Sequence, residues 1–230
     1  MNRLHYMRRL LWVGLAAAII TVVGGELPIG WVEYPVIEGD AAGLMGMFIG
    51  SGQLSLWQLG CGVLFGGIGI PLQYYGFKAL YILAGEGRND RAEMFIRWGA
   101  KATAGLGGTV HVLCVALMFL CRGLEPALTA LPQPILDFTL WLVLPVCTVF
   151  MPVYYAMCIA LLVVVLRGRT RLPRWAAVFN PLTAALVCNA LPLFLSASPL
   201  VNALNMASMG LGSVLTFGGV LLLLYRGGTR

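Results

Sequence analysis

The sequence predicts an all-α polytopic transmembrane helical bundle with six spans and both termini cytoplasmic. Three observations carry that prediction. Of 230 residues, 60% are hydrophobic and only 10% are charged, against roughly 25% charged in a soluble domain. The apolar residues gather in runs suited to a hydrocarbon layer of about 30 Å, which takes roughly 20 residues of helix. The basic residues then fall on alternate sides of those runs. A soluble fold of this length could not hide so much apolar surface. The composition therefore excludes a soluble enzyme, a disordered chain and a nucleic-acid-binding module.

The six runs cover residues 10–25, 55–84, 99–121, 135–166, 175–195 and 203–225. No soluble segment interrupts them, so residues 1–230 read as a single integral membrane domain. The second and fourth runs exceed what a bilayer needs, and tilt or kinks at Pro71, Pro145 and Pro152 would absorb the excess. The stretch 41–50, AAGLMGMFIG, is apolar but too short to span. It reads as a re-entrant or interfacial piece, or as the start of a long second helix. Arg3, Arg8 and Arg9 before the first run also fit a signal peptide; a retained signal-anchor helix is the expectation.

Charge orients the chain. Arg3, Arg8 and Arg9 precede the first run; Lys78, Arg88, Arg91, Arg97 and Lys101 surround the second connection. Arg167, Arg169, Arg171 and Arg174 fill the fourth, and Arg226 and Arg230 follow the last run. Only Arg122 among the fifteen basic residues has the opposite parity. The basic side is expected to face the cytoplasm of a bacterial inner membrane, where it can pair with anionic lipid headgroups. Glu26, Glu33, Glu38, Asp40, Glu125 and Asp137 make the other side acidic. The net charge of +6 is thus a topology signature, with membrane lipids rather than nucleic acid as partner.

Small residues point to packing. Gly62 and Gly66 repeat at four-residue spacing, as do Ala100, Ala104 and Gly108, while Gly210, Gly218 and Gly219 populate the last run. Such residues let helix backbones approach closely where no hydrophobic effect drives association. Cys61, Cys114, Cys121, Cys147, Cys158 and Cys188 all fall within runs and form no metal-ligand spacing. They read as packing residues, with Cys121 the exception to watch. Pro71-Leu-Gln-Tyr-Tyr75 and Pro152-Val-Tyr-Tyr155 echo each other, through a duplicated hairpin or through chance in a narrow alphabet.

Polar groups at membrane depth are costly and mark candidate sites. His111 lies in the middle of the third run, on a helical face shared with Thr103 and Gly107. It could meet a ligand, water or a neighbouring helix. Glu26 follows Gly24-Gly25 and precedes Pro28, a break that can aim a carboxylate inward or end in solvent. Asp137, Asn189, Asn202 and Asn205 fall toward the same acidic side. The sharper reading is an outward-facing polar pocket with His111, Glu26, Asp137, Asn189 and Asn205 as ligand-binding residues. No second histidine lies in a run, so no metal or cofactor is expected. Gly50-Ser51-Gly52 precedes a run instead of capping a late helix, and no catalytic motif is present. The chain is not expected to be an enzyme.

The segment Leu172-Pro-Arg-Trp-Ala-Ala-Val-Phe-Asn-Pro-Leu182, together with a central histidine in the third run, resembles uncharacterised bacterial six-pass integral membrane proteins of unknown function. The resemblance implies a compact helical bundle and carries no functional residue. The leading expectation is a protein that binds or translocates a small or amphipathic molecule, neutral or cationic in view of the acidic outer side. The alternative is a non-catalytic structural or assembly subunit with membrane-protein partners. A lipid-modifying membrane enzyme ranks last.

Overall fold

The structure, a computed structural model, describes residues 3–39, 43–85, 90–125 and 130–227. Asp40, Arg88, Arg230 and the start of the 41–50 run lie outside the described residues. The described chain is all-helical. In order it forms α1 (Arg3–Gly30), α2 (Leu44–Ser51), α3 (Leu56–Gly85), α4 (Arg91–Leu120), α5 (Gln133–Leu166), α6 (Pro181–Leu193), α7 (Pro199–Met206) and α8 (Ser208–Tyr225). Five of these, α1, α3, α4, α5 and α8, are long and apolar enough to cross a membrane. Leu186, Leu193 and Trp141 are among many large apolar side chains left exposed. An apolar surface of that extent is what a lipid environment covers.

The predicted run 175–195 does not form one helix. A 3-10 turn occupies Arg174–Val178, and α6 then starts afresh. The cause is local. Asn180 is extended, its side-chain oxygen accepts from Leu182 N at 3.0 Å, and Pro181 has no N–H to continue an upstream turn. At 1.5 Å per residue α6 is about 20 Å long, short of a bilayer core. The run 203–225 also divides, at Ala207, into the end of α7 and the whole of α8. The 41–50 run contributes to α2, which is too short to span.

Packing is organised around α1. It runs between α3 and α8, while α4 lies along α5, and α6 lies along α8. At the α1–α3 crossing a Cβ on Gly14 would sit 2.5 Å from the Gly76 Cα. A Cβ on Gly76 would in turn meet the Phe217 ring of α8 at 2.5 Å. Phe217 stacks edge-on against Phe77 at 5.0 Å, and Phe77 faces Tyr154 of α5 at 6.3 Å. These rings and Leu11, Ile96 and Met157 form the main core. Helix α1 thus gives Leu11 and Ala18 to the core and leaves Trp12, Ile20 and Val23 exposed.

The chain ends meet at one end of the bundle. Arg3 donates to Ile82 O near the end of α3. Arg8 donates to Leu224 O and lies 4.4 Å over the Tyr225 ring at the end of α8. Cations there complement the carbonyl ends of both helices. Arg169, after α5, pairs with Asp90, before α4, at 3.5 Å. So the N-terminal segment, the end of α3, the start of α4, the α5–α6 connection and the α8 C-terminus share one end, the basic one. Residues 31–39 and 43–55 and the α6–α7 connection form the opposite end.

Four helices contain a wide, π-type turn: Thr21–Glu26 in α1, Gly62–Gly66 in α3, Thr103–Gly107 in α4 and Thr139–Val143 in α5. Three begin with a threonine whose hydroxyl donates to the carbonyl four residues back. Thr21 reaches Ala17 O at 2.9 Å, Thr103 reaches Gly99 O at 2.9 Å, and Thr139 reaches Ile135 O at 2.7 Å. An inserted residue disturbs the regular ladder, and a threonine hydroxyl supplies an extra donor where that happens. The long second and fourth runs thus shed excess through wide turns as well as at proline.

The close crossing yields a test. Gly76→Ala should lower the melting temperature in detergent, at a cost of about 1–3 kcal/mol for overpacking. Gly60 and Gly105 have open space where a Cβ would go. Gly60→Ala and Gly105→Ala should leave melting unchanged or raise it slightly. Equal effects at all three positions would contradict the α1–α3–α8 contact.

Candidate functional site

Glu26 closes the wide turn of α1. The Leu27 N–H reaches back five residues to Val22 O, which rotates the carboxyl into the bundle. Glu26 is only 6% exposed. It lies against Gly210 of α8, where a Cβ would overlap its Oε2. The Gly210 backbone N–H turns toward the carboxyl, yet Oε2 has no hydrogen-bond partner. Across the bundle the Tyr154 hydroxyl of α5 is also buried without a hydrogen-bond partner, near Ser213 and Cys158. One turn further in, Thr21 accepts from Gln73 of α3 at 3.3 Å. Glu26, Thr21, Gln73, Tyr154 and Ser213 thus form a buried polar strip drawn from four helices. Tyr154, Ser213 and the Thr21–Gln73 bond did not emerge as a site from the sequence. The only signal was polar residues in apolar runs, and those are commonly interhelical glue.

His111 has a different setting. Its Nε2 lies 3.1 Å from Gly62 O, the carbonyl at the start of the α3 wide turn. A carbonyl only accepts, so Nε2 carries the proton in this contact. The imidazole fills the space where a Gly66 side chain would be. On the other face of Gly66 lies Gly25 of α1, whose Cβ would stand 3.1 Å from Gly66 N. His111, Gly66 and Gly25 form three layers, and the histidine supplies to α3 the donor that threonines supply to the other wide turns. It forms no pair with an acid among the described residues.

The remaining predicted residues scatter. Asp137 is exposed on α5 and accepts from Gln133 at 2.7 Å. Asn189 is exposed on α6, with its amide donating to Ala185 O at 2.7 Å. Asn205 lines a cleft of about 590 Å³ at the end opposite the chain termini. Tyr34, Pro35, Met47, Asn202 and Met206 share its wall. Asn202 donates to Val32 O at 2.8 Å and ties α7 to the loop after α1. Burial pushes the Tyr34 phenol above its ordinary range, so it remains a neutral hydroxyl. Of the five predicted residues Asn205 is the one on the wall of this cleft.

A second cleft of about 270 Å³ adjoins the first. It lies between α2 and α4, is lined almost wholly by Leu, Met, Phe and Cys side chains, and shares Met47 and Met206 with its neighbour. Met206 also packs on Gly30, and Gly30 lies one turn above Glu26. The polar cleft, the apolar cleft and the buried carboxyl therefore converge on Met206. Gly52 approaches Cys121 O so closely that no side chain would fit, which fixes α2 beside the end of α4.

With this geometry in view, the whole chain can be compared with known families. A family of unknown function, DUF6796, matches residues 1–227. The chain belongs to DUF6796. No curated protein and no solved structure matches it.

The His111–Gly66 contact is testable as a pair. His111→Ala should destabilise by about 1–3 kcal/mol through the orphaned Gly62 carbonyl and the void. Gly66→Ala should destabilise by overlap with the imidazole. Combining them removes the overlap, so the double variant should melt higher than additivity predicts. Strict additivity would show that the two residues do not touch.

Proposed function

We propose that this protein is a six-span bacterial inner-membrane protein that binds or translocates a small amphipathic molecule, neutral or cationic, through its outward-facing clefts. Both termini are cytoplasmic in this reading, since the basic end of the bundle carries them. The fifth span is α6, extended by the 3-10 turn before it and made to fit by local thinning of the bilayer. The observation that carries the function is the pairing of two clefts around Met47 and Met206. One offers amide and phenol groups from Asn202, Asn205 and Tyr34; the other is apolar. An amphipathic molecule needs both surfaces side by side. Methionine walls are adaptable and suit an irregular apolar ligand.

A second reading, a non-catalytic structural or assembly subunit, is favoured by the dense glycine contacts of α1 and by the packed setting of His111. Native mass spectrometry of protein released gently from membranes separates the two. The ligand reading predicts a bound small molecule that Asn205→Trp, by filling the polar cleft, removes from a folded protein. The assembly reading predicts no such species, and another membrane protein retained instead.

Topology is tested separately. Reporter fusions after Arg169 and Tyr225 should report cytoplasm, and one after Leu195 the exterior. A cytoplasmic report after Leu195 would mean that α6 does not cross, and would overturn the six-span arrangement.

A further inference from the structure

We propose that Glu26 is a proton-binding site inside the bundle, exchanging its proton with the outer clefts past Met206 and Gly30. Four helices surround the carboxyl. From α1 itself come Thr21 and Val22. From α8 come Gly210 and Ser213, and from α5 Tyr154, with Cys158 beside it. From α3 come Gln73, bonded to Thr21, and Gly66, which separates α1 from His111. Among the described residues no basic side chain forms an ion pair with Glu26. Among the described residues the titratable group that interacts with it is the Tyr154 phenol, which has the Cys158 thiol at its side. A carboxylate in an apolar interior is expensive without a counter-ion, and binding a proton removes most of that cost.

A residue kept only for packing would not need a carboxyl here. Oε2 is buried, has no hydrogen-bond partner, and faces the small opening that Gly210 leaves. The Gly210 N–H turned toward the group gives the ionised form one donor when the proton leaves. The route outward is short. Gly30 lies one helical turn from Glu26, and Met206 precedes Gly210 by four residues across the break at Ala207, so the Gly30–Met206 contact lies next to the Glu26–Gly210 contact. Met206 is on the wall of both clefts. Its flexible side chain is the barrier between that space and the carboxyl. The proposal does not depend on what the clefts bind.

The test uses the full-length folded protein in detergent. Dicyclohexylcarbodiimide is apolar and reacts with protonated carboxyls, and peptide mapping locates the adduct. We expect modification at Glu26, falling about tenfold per pH unit above the titration midpoint, and faster in Met206→Ala. No adduct at Glu26 at any pH would overturn the proposal. So would modification by a water-soluble carbodiimide as rapid as at Glu38, because Glu26 would then be open to bulk water. A second measurement needs no labelling. The infrared C=O stretch of a protonated carboxyl should be present at neutral pH, absent in Glu26→Gln and retained in Glu26→Asp. A spectrum unchanged by Glu26→Gln shows an ionised Glu26 and contradicts the assignment.

Discussion

The arrangement depends on the close approach of α1 to two helices at once. Gly14 meets Gly76 of α3, and Gly76 receives the Phe217 ring of α8. Further along, Gly25 meets Gly66, Glu26 meets Gly210, and Gly30 meets Ala203. At each level one partner is glycine, so backbones approach to distances that side chains would forbid. In a bilayer no hydrophobic effect pulls helices together, and dispersion contacts of this kind supply the association.

Close packing leaves few places for a polar group, and each one present has a defined task. His111 satisfies Gly62 O. Asn180 caps α6 and donates to Cys158 O at 3.0 Å. Thr21, Thr103 and Thr139 attend the wide turns. Glu26 Oε2 and the Tyr154 hydroxyl differ, because each is buried with no hydrogen-bond partner. The bundle places this carboxyl beside the Gly30–Met206 contact, and Met206 lines both clefts. That juxtaposition connects packing to function in this molecule.

Much of the helical fold was legible in the sequence, because hydropathy is a local property of each run. Helices α1, α3, α4, α5 and α8 lie where the apolar runs placed them. The fifth run misled because hydropathy is blind to Asn180-Pro181, which ends one turn and caps the next. The wide turns were hidden too, since a threonine in an apolar run looks like any small residue. Gly62, Gly66 and Gly108 do face neighbouring helices, as their spacing implied. The candidate site was legible only in part. Glu26 stood out as an acid beside a Gly–Gly pair. Tyr154 could not, because its meeting with Glu26 joins residues far apart in sequence. Asp137 and Asn189 share an end of the molecule with Asn205 but project from other helix faces, and end-to-end position along a helix does not fix its rotation.

Helix α1 packs one face between α3 and α8 and holds there a carboxyl with no cation beside it. A side-chain-resolution cryo-EM map of the protein in a lipid nanodisc tests this arrangement most directly. The account predicts α1 between α3 and α8, Gly14 in backbone contact with Gly76, and the Glu26 carboxyl against Gly210 with no basic side chain in reach. A map in which α1 does not touch both α3 and α8, or in which Glu26 pairs with an arginine or lysine, would contradict it.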